Sequence, residues 1–148
     1  MFKSHMDAAL AEARAAASRG EVPVGAVLVD PTGAIVARAG NRTRALSDPT
    51  AHAEILVLRQ ACAAGQTERL QGFDLYVTLE PCAMCAAAIA AARIRRVYYG
   101  ASDPKSGGVA HGACVFSHPQ AHHAPEVYEG IAEVESAEIL RQFFAARR

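Results

Sequence analysis

The chain has 148 residues, of which 51% are hydrophobic and 20% charged, and its 15 basic and 15 acidic residues give a formal net charge of zero. This composition is typical of one soluble globular domain (residues 1–148) with a proper core, and it disfavours a general nucleic-acid coat protein, which should be basic. The longest apolar run, residues 83–92, is too short to span a bilayer, and charges near the N-terminus interrupt any signal peptide, so a cytoplasmic location is expected.

Runs of apolar and helix-forming residues predict strands and helices in alternation. An alanine-rich helix at 4–19 is followed by a strand at 22–29, a turn at 30–33 and a strand at 34–39, which together predict a hairpin. The later predicted elements are a helix starting near His52, a strand at 74–79, a helix starting near Cys82, a strand at 95–100, a short strand near 127–128 and a helix at 132–146. This order predicts a three-layer α/β/α sandwich around a mixed, partly parallel sheet of about five strands.

Two short motifs carry metal-ligating side chains. His52-Ala53-Glu54 and Pro81-Cys82-Ala83-Met84-Cys85 form the H-x-E and P-C-x-x-C pair of zinc-dependent nucleobase deaminases. One imidazole and two thiolates provide three ligands for Zn²⁺ and leave the fourth tetrahedral position open, as a catalytic zinc requires. Glu54 is not needed as a ligand, so it is the candidate proton carrier.

Both motifs are expected at the N-termini of helices. Asp48 and Thr50 are candidate N-caps of the first helix, and Pro81 suits the first turn of the second. Cys82 and Cys85 then lie on one helical face, where the helix N-terminus stabilises thiolates. We expect the two N-termini to meet at the C-terminal ends of adjacent strands, where open α/β sheets bind ligands.

A closed structural zinc site and a redox dithiol are the alternatives for the C-x-x-C motif. A closed site needs a fourth Cys or His at close spacing, which neither motif has, and a dithiol does not call for H-x-E. Cys62 and Cys114 are interpreted as small buried hydrophobes. The spacing of His118, His122 and His123 fits no strong template for a second metal.

The chain resembles the cytidine-deaminase-like superfamily and, within it, the bacterial tRNA-specific adenosine deaminases. The resemblance covers nearly the whole chain, at segments 21–27, 41–42, 48–54, 76–82, 84–85, 100–101, 103 with 105, 143–144 and 147–148. It implies hydrolytic deamination of a wobble adenosine to inosine, with one zinc ion per subunit bound by His52, Cys82 and Cys85. In this reaction hydroxide attacks C6 of adenine, and Glu54 delivers protons to N1 and to the departing ammonia.

The resemblance also implies a substrate site. Val22, Asn41 and the backbone of Ala53 are expected at the base or ribose, although Asn41 also suits a plain turn. Asp103 and Lys105 match the loop that approaches the neighbouring nucleotide, where a carboxylate can accept a hydrogen bond from a 2′-OH and favour RNA over DNA. The alternative for Asp103 is a simple turn before proline.

Phe144, Arg147 and Arg148 are candidate contacts to RNA bases and phosphates. The alternatives are a core role for at least one of Phe143 and Phe144 and a solvated tail for the arginines. The resemblance implies two partners, a tRNA anticodon stem-loop and a second copy in a homodimer, with no membrane and no DNA. Two other functions stay open: deamination of a free base or nucleoside of the guanine or cytosine type, and a non-catalytic RNA-binding module, which the intact Glu54 disfavours.

Overall fold

Helices and strands alternate along the chain in the computed structural model, which describes residues 2–147. Within these residues the elements are, in order, α1 (Met6–Ser18), β1 (Gly25–Val29), β2 (Ile35–Gly40), α2 (Ala53–Gly65), β3 (Asp74–Leu79), α3 (Ala83–Ala91), β4 (Arg96–Ala101), the 3₁₀-helix Val115–Ser117, β5 (Glu126–Tyr128) and α4 (Glu133–Ala145). Each predicted helix and strand is present. In the part of the chain described, no helix is long and apolar enough to cross a membrane.

The first strand begins at Gly25, three residues later than predicted. The N–H of Val24 donates to the carbonyl of Val22 at 2.9 Å, so the chain turns tightly around Pro23. Proline has no N–H to give to a β-ladder, and regular pairing therefore starts only after it. As a result Val22 is left exposed just outside the sheet.

The five strands form one mixed sheet in the order β2-β1-β3-β4-β5. Strand β1 is antiparallel to both β2 and β3, whereas β3, β4 and β5 are parallel. The prediction that α2 and α3 follow adjacent strands is therefore wrong, because the hairpin places β1 between β2 and β3. Since β1 is antiparallel to both neighbours, β2 and β3 still run in the same direction and end at the same edge of the sheet.

Two apolar clusters cover the two faces of the sheet, which confirms the three-layer architecture. The cluster that joins the sheet to α2 and α3 includes Leu28, Val57, Leu75, Val77 and Ile89. The cluster that joins the sheet to α1 and α4 includes Met6, Leu10, Val27, Tyr76 and Tyr98, with Ile139 packed against it. Neighbouring residues of a strand thus enter opposite clusters, because side chains alternate across a strand.

Helix α1 approaches the sheet closely enough to require glycine on the strands. A Cβ atom at Gly25 would overlap the carbonyl of Ala9 and the backbone nitrogen of Ala13. At Gly40 it would lie 2.6 Å from the carbonyl of Glu12. The backbone contact also fixes the C-terminal end of α1 beside the edge where β2 ends.

We expect Gly25→Ala to destabilise the protein by about 1–3 kcal/mol, since the added methyl group forces α1 away from β1. Denaturant unfolding followed by circular dichroism measures this change. Gly65→Ala is the matched control: its Cβ would contact only the methyl group of Thr67, at 3.4 Å, and alanine favours a helix. Equal stability of the Gly25→Ala protein and the wild type would show that the close contact is not required.

Candidate metal centre and substrate pocket

His52, Cys82 and Cys85 converge where α2 and α3 begin. His52 and Cys82 are the N-cap residues of these helices, and Cys85 lies in the first turn of α3. The Nδ1 atom of His52 is 3.7 Å from the Sγ atom of Cys82 and 3.5 Å from that of Cys85. Within residues 2–147, this is the one group of three His, Cys, Asp or Glu residues placed closely enough to share a metal ion.

The predicted caps of the two helices are wrong. The Oδ1 atom of Asp48 accepts hydrogen bonds from the N–H and hydroxyl of Thr50, so these residues close a turn before the helix instead of capping it. Pro81 also lies outside its helix, because Cys82 has the extended backbone of an N-cap. Two of the three ligands, His52 and Cys82, occupy the N-cap positions instead. Their side chains therefore project from the points where the extended backbone turns into a helix.

The protonation of the two cysteines shows what kind of ion fits the cluster. The pKa of the Cys82 thiol is lowered to about 4, because the thiolate accepts hydrogen bonds from the Cys85 thiol and from His52. The pKa of Cys85 is strongly raised by its hydrogen bond to that thiolate and by burial. Two thiolates side by side therefore need a cation between them. Zn²⁺ fits this set of one nitrogen and two sulfur ligands, which leaves a fourth position open.

Glu54 lies in the first turn of α2, next to the ligand cluster, and is only 3% exposed. Burial raises the pKa of its carboxyl group to about 7, because the charged form loses its hydration. It also lines the same cavity as His52 and Cys82. A carboxyl group in this environment can take up and release a proton near neutral pH.

A cavity of about 250 Å³ opens beside the ligand cluster. Its lining residues are Val22, Val24, Asn41, Thr43, His52, Glu54, Leu79, Glu80, Cys82, Asp103 and Ser106. Drug-sized ligands occupy pockets of about 300–1,000 Å³, so this smaller cavity suits a single heterocycle. Three predicted substrate residues, Val22, Asn41 and Asp103, thus lie in its wall. Lys105 is exposed in the loop two residues after Asp103.

Asn41 supports the start of α2 and also borders the cavity. Its Oδ1 atom accepts a hydrogen bond from the N–H of Ala53 at 2.8 Å, and the side chain is 8% exposed. Its amide nitrogen donates no hydrogen bond to residues 2–147, so it can donate to a ligand. The N–H of Ala53, in contrast, is occupied by Asn41 and does not face the cavity as a donor.

Two further buried carboxylates, Glu21 and Glu80, were not identified from the sequence, and Glu80 lines the cavity. Glu21 accepts hydrogen bonds from the N–H groups of Arg44 and Ala45, and Glu80 accepts them from several residues of the loop after β4. Burial alone would raise the pKa of both carboxyl groups, but these hydrogen bonds hold it below the usual range. The one feature of the sequence that could have indicated a role for Glu80 is its position between an apolar strand and a zinc ligand.

The C-terminal aromatic pair divides between the core and the surface. Phe143 is buried, whereas Phe144 is 49% exposed. The guanidinium group of Arg147 lies 3.5 Å above the ring of Phe143 and donates a hydrogen bond to its carbonyl. Phe143 therefore packs in the core, which was the predicted alternative to an RNA contact for at least one of the two phenylalanines. Arg148 lies outside the residues that the structure describes.

Other cysteines and histidines have local roles. Cys62 and Cys114 are half-buried rather than fully buried, and neither is in a disulfide. His123 contacts the carbonyl of Ile94 at 2.7 Å through Nε2, and Nδ1 of His118 accepts the N–H of Gln120. The first contact ties the loop before β5 to the segment before β4, and the second lies within the loop.

Comparisons with known proteins agree with this site. The sequence model of the cytidine and deoxycytidylate deaminase zinc-binding region matches residues 2–101. The chain is 66% identical over 143 residues to the tRNA-specific adenosine deaminase of Agrobacterium fabrum, a match that covers 97% of this chain and 93% of that protein. Both matches include His52, Cys82 and Cys85.

Solved structures extend the comparison to the fold. A structure from studies of A-to-I editing by tRNA:A34 deaminases superposes with a TM-score of 0.90 at 66% identity, covering 91% of this chain and 97% of that one. A guanine deaminase of Bacillus subtilis superposes with a TM-score of 0.65 at 30% identity, covering 98% and 94%. Because the family sequence model covers most of the chain and a relative at 66% identity covers nearly all of it, the chain belongs to the tRNA-specific adenosine deaminases among the zinc-dependent deaminases.

Proposed function

We propose that this protein hydrolyses the wobble adenosine of a tRNA anticodon to inosine and ammonia. One observation carries the proposal: the zinc ligands His52 and Cys82 and the buried Glu54 border one cavity that suits a single base. The third ligand, Cys85, lies directly behind them in the cluster. The relative at 66% identity is named for this substrate. We further propose that residues 1–148 act as a single domain and that the protein works in the cytoplasm, where tRNA is modified.

The residues of the cavity have separate roles in the proposed reaction. His52, Cys82 and Cys85 would hold a zinc ion, which when bound would lower the pKa of a water molecule and so supply hydroxide near neutral pH. Glu54 takes one proton from the attacking water and passes it to N1 of the adenine. It then takes the proton of the new C6 hydroxyl group and delivers it to the amino group as the C6–N bond breaks, so that ammonia leaves and the C6 oxygen becomes the carbonyl of inosine. Asn41 donates its amide N–H to the base or ribose.

The proposed RNA contacts come from the loop beside the cavity and from the C-terminal residues. Asp103 is in the wall, where its carboxylate can accept a hydrogen bond from a 2′-OH and so favour RNA. Lys105, Arg147 and Arg148 are proposed to contact phosphates, and the exposed ring of Phe144 is proposed to stack on a base. A single base must leave the anticodon stack to enter a cavity of this size.

A free purine is the second candidate substrate, because a guanine deaminase shares this fold at 30% identity. The experiment that separates the two uses zinc-loaded protein with an RNA anticodon stem-loop carrying A at the wobble position. Guanine, cytosine, free adenosine and a DNA stem-loop are tested in parallel. Inosine in the RNA stem-loop alone supports the proposal, whereas turnover of a free base with an untouched stem-loop would retain the zinc chemistry and replace the substrate.

We also propose that the protein is a homodimer that pairs through α3. Two apolar depressions flank this helix, with volumes of about 440 and 420 Å³. Ala91 lines both of them, and α2 contributes Ile55 and Leu58 to the second. A contiguous apolar surface of this kind is typical of a protein–protein contact.

Replacing Glu54 by alanine tests the assignment of the proton carrier. We expect activity on the stem-loop to fall by at least about 10²–10⁴-fold, since Glu54 is the residue next to the ligand cluster whose carboxyl pKa is raised to about 7. Zinc content, measured by atomic absorption, should stay at one ion per chain. His52→Ala is the control that should lose the metal. A zinc-loaded Glu54→Ala protein that still deaminates would refute the assignment.

Replacing Lys105 by alanine tests the contact between the loop and a phosphate. We expect weaker binding of the stem-loop and a salt dependence whose slope decreases by about one unit, because one fewer counterion is released. The matched control is Lys3→Ala, which removes the same charge before α1. Fluorescence anisotropy at several salt concentrations gives both slopes. Equal slopes for the two variants would show that Lys105 does not contact a phosphate.

Replacing Ala91 by glutamate tests the proposed dimer surface. A buried, unpaired carboxylate in a protein–protein contact is costly, so we expect this variant to sediment as a single 15.6 kDa chain. Ala11→Glu, on the exposed face of α1, should leave the mass of the wild type unchanged. Analytical ultracentrifugation decides: a dimeric Ala91→Glu protein would place the contact elsewhere.

A further inference from the structure

Glu80 is the buried carboxylate around which the loop after β4 is folded. It is 2% exposed and lies two residues before the zinc ligand Cys82. Its Oε2 atom accepts the N–H groups of Val109, Ala110 and His111 at 3.2, 3.0 and 3.1 Å. Its Oε1 atom accepts the N–H of Asp103 at 3.0 Å and lies 2.8 Å from Nδ1 of His111.

These contacts bind both ends of one loop to a single side chain. Asp103 begins the loop and His111 ends it, so the carboxylate spans residues 103–111. The middle of the loop packs equally closely. A Cβ atom at Gly107 would overlap Oε2 of Glu80, and the N–H of Gly108 donates to the carbonyl of Pro81 at 2.8 Å.

The same loop carries the residues that face the substrate. Asp103 and Ser106 line the cavity, and Lys105 lies between them at the surface. Glu80 also lines the cavity, but its oxygens are already occupied by donors of the loop. Glu54, which lines the same cavity, has no comparable set of donors. The two glutamates of one cavity therefore differ in what they can do: one is available to carry protons and the other is committed to the backbone.

We propose that Glu80 is a positioning residue, which holds the Asp103–Lys105 segment against the cavity and thereby orients the nucleotide next to the reacting base. The inference rests on the proposed function for the identity of that nucleotide. It assigns Glu80 no proton transfer. Its effect on the reaction passes through the loop.

Glu80→Gln is the direct test, because glutamine has the same size but only one oxygen. The amide oxygen of glutamine can accept hydrogen bonds from the N–H groups at one end of the loop, but not from those at both ends. We expect hydrogen exchange of the amides in 103–111 to accelerate at least tenfold while that of α3 is unchanged. We expect KM for the stem-loop to rise about tenfold, with a smaller change in kcat and with one zinc ion retained.

Glu21→Gln is the matched control, since Glu21 is an equally buried carboxylate that binds a different loop, at residues 43–45. This variant should leave exchange in 103–111 unchanged. A second control combines Glu80→Gln with Asp103→Ala and Lys105→Ala. If Glu80 acts through the loop, it should add little to the loss caused by the two loop substitutions.

Several results would overturn the inference. These are loss of zinc in Glu80→Gln, faster exchange in α3 as well as in the loop, or a full additional loss in the triple variant. If Glu80→Gln fails to fold, Gly107→Ala displaces the same loop and should raise KM in the same way. If the wild type leaves the stem-loop unchanged, the proposed function fails. The role of Glu80 is then still decided by hydrogen exchange in 103–111 and by whether the effects of the substitutions add, with activity measured on whichever base the wild type deaminates.

Discussion

The site depends on the placement of two thiols and one imidazole at a single edge of the sheet. The Cys85 thiol favours ionisation of Cys82, but the resulting thiolate strongly opposes ionisation of Cys85, so a pair of thiolates is stable only with a divalent cation between them. The fold supplies the remaining conditions. Helices α2 and α3 both begin at this edge, and the positive ends of their dipoles favour the anionic ligands. His52 and Cys82 occupy N-cap positions, where the backbone is extended and the side chains converge.

Glu54, Glu80 and Glu21 are buried glutamates with contrasting electrostatic environments, and the first two line the cavity. Burial raises the pKa of Glu54 to about 7, because few donors compensate for its lost hydration. Glu21 and Glu80 are as deeply buried, yet hydrogen bonds from backbone N–H groups keep their pKa below the usual value. The same residue type thus serves as a proton carrier in one place and as an anchor for a loop in the others. The number of donors around the carboxylate decides between these roles.

Local patterns in the sequence predicted the helices, the strands and the ligand motifs, because each depends on residues close together in the chain. They did not predict that β1 lies between β2 and β3, since strand order is set by packing between distant segments. For a similar reason, the support that Asn41 gives to the start of α2 and the anchoring role of Glu80 were not predicted, although Asn41 was correctly expected beside the cavity. Asn41 bonds to Ala53, twelve residues away, and Glu80 bonds to residues 23–31 positions later. A short motif identifies a metal ligand from neighbouring residues. A buried side chain that anchors a distant loop is recognised only when the structure shows which N–H groups bind to it.

The pairing of surface charges explains how a neutral chain can still bind RNA at one place. Arg95 forms an ion pair with Asp74, Arg96 with Glu126, and Arg141 with Glu138. The positive charges of these arginines are therefore matched by acidic neighbours. Lys105, at the mouth of the cavity, forms no ion pair within residues 2–147. RNA binding is therefore expected to rest on one base held in the cavity and on few phosphate contacts, which gives a shallow salt dependence and places selectivity in the cavity and its loop.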